Sequence, residues 1–326
     1  MAPSIDELQK LALDLGDRIV RTPVVRCAPL EDAVGGAMRV MGKLEFLQRT
    51  GTFKARGALA TLNSLSDAQK HAGVTAVSAG NHAIATAYAA QCSGVDAKLV
   101  MLSGASPVRR AAAESYGATV VLEDTVHEAF ARAESIRERD GRFFVHPFEG
   151  PSIAAGTGTL GVELCEQDSE FEALIVPIGG GGLIAGVSNA VRQLRPDVTI
   201  YGVEPEGADS MARSFAAGEP AAIDKVDTIA DSLGAPFALP YSFELTRRNV
   251  DKLCRVSEQA LRDAMGILFH CQKMAVEPAC AASTAALLGP LREELAGRRV
   301  MLVFCGSNTD WRTWSGQANL ECRYVN

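Results

Sequence analysis

The chain of 326 residues is long enough for a large core and favours two lobes over one. Hydrophobic residues at 47% and charged residues at 22% are ordinary globular values. A formal charge of -7 with no basic block argues against a general nucleic-acid binder, so a small-molecule partner is expected.

One uncharged run, residues 173–191, has the length of a membrane span, but Pro177 and four successive glycines interrupt it. It reads as strand, loop and helix, and no membrane partner is expected. Residues 1–10 show no basic stretch followed by an apolar run, so no signal peptide is indicated. Eight cysteines lack CxxC or zinc spacing, which predicts reduced, buried thiols in a cytoplasmic protein.

In chain order, Leu8, Leu11, Leu15 and Ile19 predict an opening helix over residues 5–19, stopped by Thr22-Pro23. An extended segment over 23–30 and a strand over 38–44 lead to Thr50-Gly51-Thr52-Phe53-Lys54, and a helix over 53–64 follows. Strands at 74–78, 97–102, 119–122 and 143–145 then alternate with helices at 81–92, 107–116 and 125–140, the rhythm of a parallel sheet with crossover helices. A helix from about 153, a strand at 173–177, a helix at 183–194 and a strand at 199–203 precede an irregular region to about 250. Helices at 257–271 and 277–296 lead to a last strand at 299–304. The lobes are expected to interleave, residues 1–49 and 146–326 forming one and residues 50–145 the other.

Four short stretches carry chemistry. Lys54, behind a glycine turn and near Arg56, is placed to become a Schiff-base lysine, because desolvation or a neighbouring cation lowers an amine's pKa. The plain alternative is a snorkelling lysine at a helix start. Ser78-Ala79-Gly80-Asn81-His82 ends a strand and opens a helix, a place where backbone N–H groups hold a carboxylate or phenolate; simple capping explains it equally. His82 reads better as a satisfied helix-start histidine than as a base. Gly179, Gly180, Gly181 and Gly182 between strand and helix let backbone wrap a phosphate. Gly180-x-Gly182-x-x-Ala185 with Glu204 at the next strand end also meets the dinucleotide pattern, so a nicotinamide oxidoreductase stays open. Cys305, in Cys305-Gly306-Ser307-Asn308, offers a neutral hydrogen bond to a ring nitrogen or is a buried thiol.

Taken together and in this order, these motifs resemble the signature set of fold-type II pyridoxal-phosphate enzymes, the serine/threonine dehydratase and serine racemase family, over nearly the whole chain. The resemblance implies an α/β fold like the tryptophan synthase β subunit, with two lobes that each hold a mostly parallel sheet flanked by helices. It implies pyridoxal 5'-phosphate bound through Lys54, with Phe53 packed near the ring, Asn81 on the ring hydroxyl, the glycines on the phosphate and Cys305 by the pyridine nitrogen. Ser78, Ala79, Gly80, Asn81 and His82 would hold the substrate carboxylate.

The implied reaction is loss of water from a 3-hydroxy L-amino acid, threonine or serine first, giving a 2-keto acid and ammonia. 3-Hydroxyaspartate, phenylserine and diamino acids are the alternatives. Racemases carry serine where this chain has Ala79, so racemisation is expected to be poor. Glu204, Ala208 and Ser210 fall where metal-activated relatives bind a divalent cation, and a hydroxyl in place of an acid implies weaker divalent binding or a monovalent ion. Pro147-Phe148-Glu149 replaces an expected polar loop, which leaves room for a bulkier substrate. Family habit implies a homodimer.

Overall fold

The structure, a computed structural model, describes residues 1–36, 38–78 and 80–321. Ala79 and Cys322, both drawn on above, lie outside the described residues. In chain order the strands are β1 (Val24–Arg26), β2 (Arg39–Leu44), β3 (Val74–Val77), β4 (Ala97–Leu102), β5 (Thr119–Glu123), β6 (Phe143–Phe144), β7 (Ala173–Pro177), β8 (Thr199–Pro205), β9 (Lys252–Val256) and β10 (Arg299–Phe304).

Among the described residues they form two sheets. One has the order β1-β2-β10-β7-β8-β9, parallel except for the β1–β2 pair. The other, β5-β4-β3-β6, is parallel throughout. Helices cover both, so the central strands are dry on two faces. Every residue of β7 is buried, and the strand accordingly reads as the unbroken run Ala-Leu-Ile-Val-Pro. The helices Lys54–Ser64 and Asn81–Ser93 pack against each other in a second core, beside the four-stranded sheet.

Several boundaries differ from the expected ones for local reasons. The opening helix ends at Leu15, capped by Gly16, and residues 16–18 turn as a tighter helix that leaves Ile19 extended. Only Val24–Arg26 of the segment 23–30 is strand, because Pro29 starts the short helix Ala28–Ala33. The helix expected over 277–296 stops at Leu288, where Gly289-Pro290 cannot continue it. The region expected to be irregular up to about 250 contains the helices Ser210–Ala217 and Pro240–Asn249, and β9 follows it. As a sheet-edge strand, β9 buries only Val256 fully, which leaves little alternation to detect.

The fold positions the chemistry by strand direction. β3 ends at Val77 beside Ser78, β7 at Pro177 before the glycines, and β10 at Phe304 before Cys305. Carboxyl ends of strands from both sheets thus open onto one crevice.

Candidate active site

The crevice is a cavity of about 640 Å³, within the ~300–1,000 Å³ range of small-molecule and cofactor sites. Lys54, Asn81, the four glycines, Glu277 and Cys305 all line it. Lys54 comes to Cys305 through backbone stitching. The Phe53 N–H donates to the Cys305 carbonyl (3.1 Å), the Ser307 N–H to the Gly51 carbonyl (3.1 Å), and the Asn308 side-chain amide to the Thr50 carbonyl (2.7 Å). The loop before the Lys54 helix is therefore tied to the loop after β10.

The Lys54 amine donates to the Pro147 carbonyl (3.0 Å) and lies 5.2 Å from the Phe53 ring centre. Burial brings its pKa down to about 8, opposed by the attraction of the Glu277 carboxylate. At pH 7 roughly a tenth of such an amine is unprotonated, far more than of an exposed lysine.

The glycine loop is built for close approach. Gly181 adopts φ +92°, in the left-handed region that side chains disfavour, and it immediately precedes the helix Gly182–Leu194. A methyl group on Gly180 would meet the Phe148 ring at 2.3 Å. The first-turn amides of that helix lack intrahelical partners, as do those of the Asn81–Ser93 helix, so two helix N-termini face the crevice.

Asn81 is buried and fully engaged. Its amide donates to both oxygens of Glu277 (2.8 and 3.1 Å) and to the Ser232 hydroxyl (3.0 Å), and its carbonyl accepts from Asn308 (2.9 Å). His82 donates from Nε2 to the Val145 carbonyl (2.8 Å); burial, reinforced by Lys54, lowers its pKa to about 3. It is a satisfied neutral histidine, the reading favoured from the sequence. Ser78 accepts from the Gly80 N–H (3.0 Å). Cys305 is buried, and its hydrogen bond with Cys280 together with burial pushes its pKa well above the usual thiol range. It faces the cavity as a neutral thiol.

Glu277, Arg109 and Asp231 were not singled out as site residues from the sequence. Burial raises the Glu277 carboxyl to about 7 against the attraction of Arg109. Arg109, in the helix Pro107–Ser115, donates to Asp231, to Glu277 (3.3 Å) and to the Asn308 carbonyl (2.7 Å). It therefore joins a helix beside the four-stranded sheet to three loops around the six-stranded one. No spacing rule links these positions; the available signal was Glu277 preceding Pro278 at a helix start.

Glu204 is absent from the crevice lining. Its two oxygens accept the Met211 and Ala212 N–H groups (2.8 Å each), capping the helix Ser210–Ala217, and burial raises its pKa to about 8. With each oxygen already accepting a helix amide and the side chain outside the crevice, Glu204 is not placed for a ribose, which removes the dinucleotide reading. The Ser210 hydroxyl nearby is buried without a partner. Among the described residues no three His, Cys, Asp or Glu side chains converge on a metal position.

A buried amine, a glycine cradle and a neutral thiol at the strand ends of an α/β fold define a cofactor-dependent enzyme site of the pyridoxal-phosphate kind. Residues 15–306 match the family described as pyridoxal-phosphate dependent enzyme. The phenylserine dehydratase of Ralstonia pickettii is 50% identical, over 98% of this chain and 97% of its own. The catabolic L-threonine dehydratase of Escherichia coli is 37% identical, over 94% of this chain and 93% of its own. The structure of maize serine racemase superposes with a TM-score of 0.91 at 33% identity, covering 97% of each chain. The chain belongs to the pyridoxal-phosphate dependent enzymes, in the fold-type II branch of serine/threonine dehydratase type, and its cofactor is pyridoxal phosphate.

Proposed function

We propose that the protein is an ammonia-lyase that dehydrates a 3-hydroxy L-amino acid carrying an aromatic ring on its β-carbon, releasing the 2-keto acid and ammonia. The observation that carries the aromatic preference is the apolar wall of the crevice. Phe148 and Phe237 lie 6.2 Å apart between ring centres, with Leu233 and Pro236 lining the same cavity. A methyl or hydrogen substituent would leave that wall uncovered, whereas burying a phenyl ring against it contributes about 1.5–3 kcal/mol. The 50% identity to a phenylserine dehydratase supports the same reading.

The residues present fit the cofactor. The glycine loop and the first turn of its helix would cradle the phosphate, Lys54 would carry the aldehyde carbon, and the neutral Cys305 thiol would face the ring nitrogen. Bound there, pyridoxal phosphate supplies the electron sink that makes an α-proton acidic. Lys54, once the substrate's amino group has displaced it from the aldehyde carbon, would take that proton, a task suited to an amine of pKa about 8. Asn81, proposed for the ring hydroxyl, must release Ser232 or Glu277 to hold it. The loop from Ser78 to His82, with the helix N-terminus behind Gly80, holds the substrate carboxylate. With alanine at position 79 no second base is supplied from that loop, so racemisation is minor.

In the same reading residues 50–145 form a small substrate-binding lobe, residues 1–49 and 146–326 the large cofactor-binding one, and two copies form a homodimer. Seven unpaired cysteines among the described residues agree with a reducing, cytoplasmic setting. The unpartnered Ser210 hydroxyl supports a cation held with Glu204 and the Ala208 carbonyl. No described helix is long and apolar enough to cross a membrane.

The test is keto-acid and ammonia release by the holoenzyme from L-threo-phenylserine, L-threonine and L-serine in parallel. Phenylpyruvate formed with the highest kcat/KM is the expected result. Higher kcat/KM for threonine or serine would overturn the aromatic preference, and silence on all three the reaction itself.

A further inference from the structure

The helix Val126–Asp140 carries two apolar stripes. Ala129, Ala133 and Ile136 are buried and pack as a core against the four-stranded sheet. Val126 and Phe130, one turn apart, are 54% and 43% exposed on a helix otherwise rich in charge. A single exposed apolar side chain needs no explanation. These two line the same cavity as Lys54, together with the half-buried Leu102 at the end of β4. They face it from the four-stranded side, whereas Phe148 and Phe237 belong to the side of the six-stranded sheet.

We infer that Val126 and Phe130 form the second wall of the side-chain subsite and set the size of the β-substituent that the enzyme accepts. The inference rests on the aromatic-substrate reading and deepens it. An aryl ring would lie between Phe130 and the Phe148/Phe237 pair, and the exposed stripe would be covered when substrate is bound. Edge-to-face and offset contacts between aromatic rings favour a phenyl group over a methyl of threonine. The amino and carboxylate ends of the substrate are held elsewhere, so this wall acts on side-chain selection and leaves proton transfer alone.

The experiment uses holoenzyme of the wild type and of Phe130→Ser and Val126→Ser, with Leu122→Ser as control. Leu122 is also partly exposed (39%) but does not line the cavity. The expected result for Phe130→Ser is a fall of about tenfold in the phenylserine-to-threonine ratio of kcat/KM, mainly through the phenylserine KM. Val126→Ser should move it less, and the control should leave it unchanged. Calorimetric titration with L-phenylalanine, which has no β-hydroxyl to lose, should weaken in parallel while L-alanine binding holds. Unchanged selectivity and unchanged L-phenylalanine binding in both variants would overturn the inference. So would a changed oligomeric mass with selectivity intact, since the stripe would then be a contact between copies. A wild type that turns over threonine better than phenylserine would instead overturn the aromatic-substrate reading on which the inference rests.

Discussion

Two buried charge clusters lie close along the chain and behave oppositely. Behind Lys54, Arg56 clamps Glu45 through two bonds (2.8 Å each) and Glu163 through two more (2.7 and 2.9 Å). Lys43 adds a third contact to Glu163 (2.6 Å) and bonds to the Thr22 carbonyl and Gln167. Two cations meet two anions with every oxygen paired. Burial disfavours charge on Arg56 and Glu45, yet their mutual attraction wins, raising the Arg56 pKa and lowering that of Glu45. At the crevice, burial wins. Lys54 has one hydrogen-bond acceptor and drops to about 8, and Glu277 rises to about 7 in spite of Arg109. The same residue types make a sealed lock where charge pairing outweighs burial and leave groups that titrate near neutrality where burial outweighs it.

The largest way to break the contrast is Lys54→Ala, which should abolish keto-acid release while circular dichroism and the melting transition stay near wild type. Turnover surviving in that variant would sink the assignment of the base. Arg56→Met addresses the sealed cluster and should act on stability, by about 3–5 kcal/mol in urea unfolding, because Glu45 and Glu163 would stay buried against Lys43 alone. A loss below about 1 kcal/mol would mean water reaches that cluster.

Glu277→Gln sharpens the other half. The carboxyl's folded pKa of about 7 lies above the unfolded value near 4.5, so the stability it contributes is complete below about 4.5 and lost as pH rises to about 7. The urea midpoint of the variant should therefore gain on wild type across that window and run parallel above it. Curves parallel throughout would show that Glu277 does not titrate there.

Much of the site was legible because its signals are local. A lysine behind a glycine turn, a glycine run between strand and helix, and a Ser-x-Gly-Asn loop each mark backbone geometry within a few residues. The alternation from Val74 to Phe144 likewise gave the parallel four-stranded sheet, since buried strands and amphipathic helices write their periods into the sequence. β9 and the two helices before it, Ser210–Ala217 and Pro240–Asn249, escaped, and the periodicity of β9 is diluted at a sheet edge.

By itself, then, the amino-acid order determined most of the strand-and-helix succession, the lysine and the glycine run, and through them the cofactor. Tertiary structure decided which distant groups meet them. It set Glu277 and Arg109 against Asn81, turned His82 to a carbonyl, gave both oxygens of Glu204 to a helix end, and brought Phe130 and Phe148 to one crevice. The physical reason is that backbone preference is set by near neighbours. Desolvation and charge pairing depend on everything packed within a few ångströms, whatever its distance along the chain.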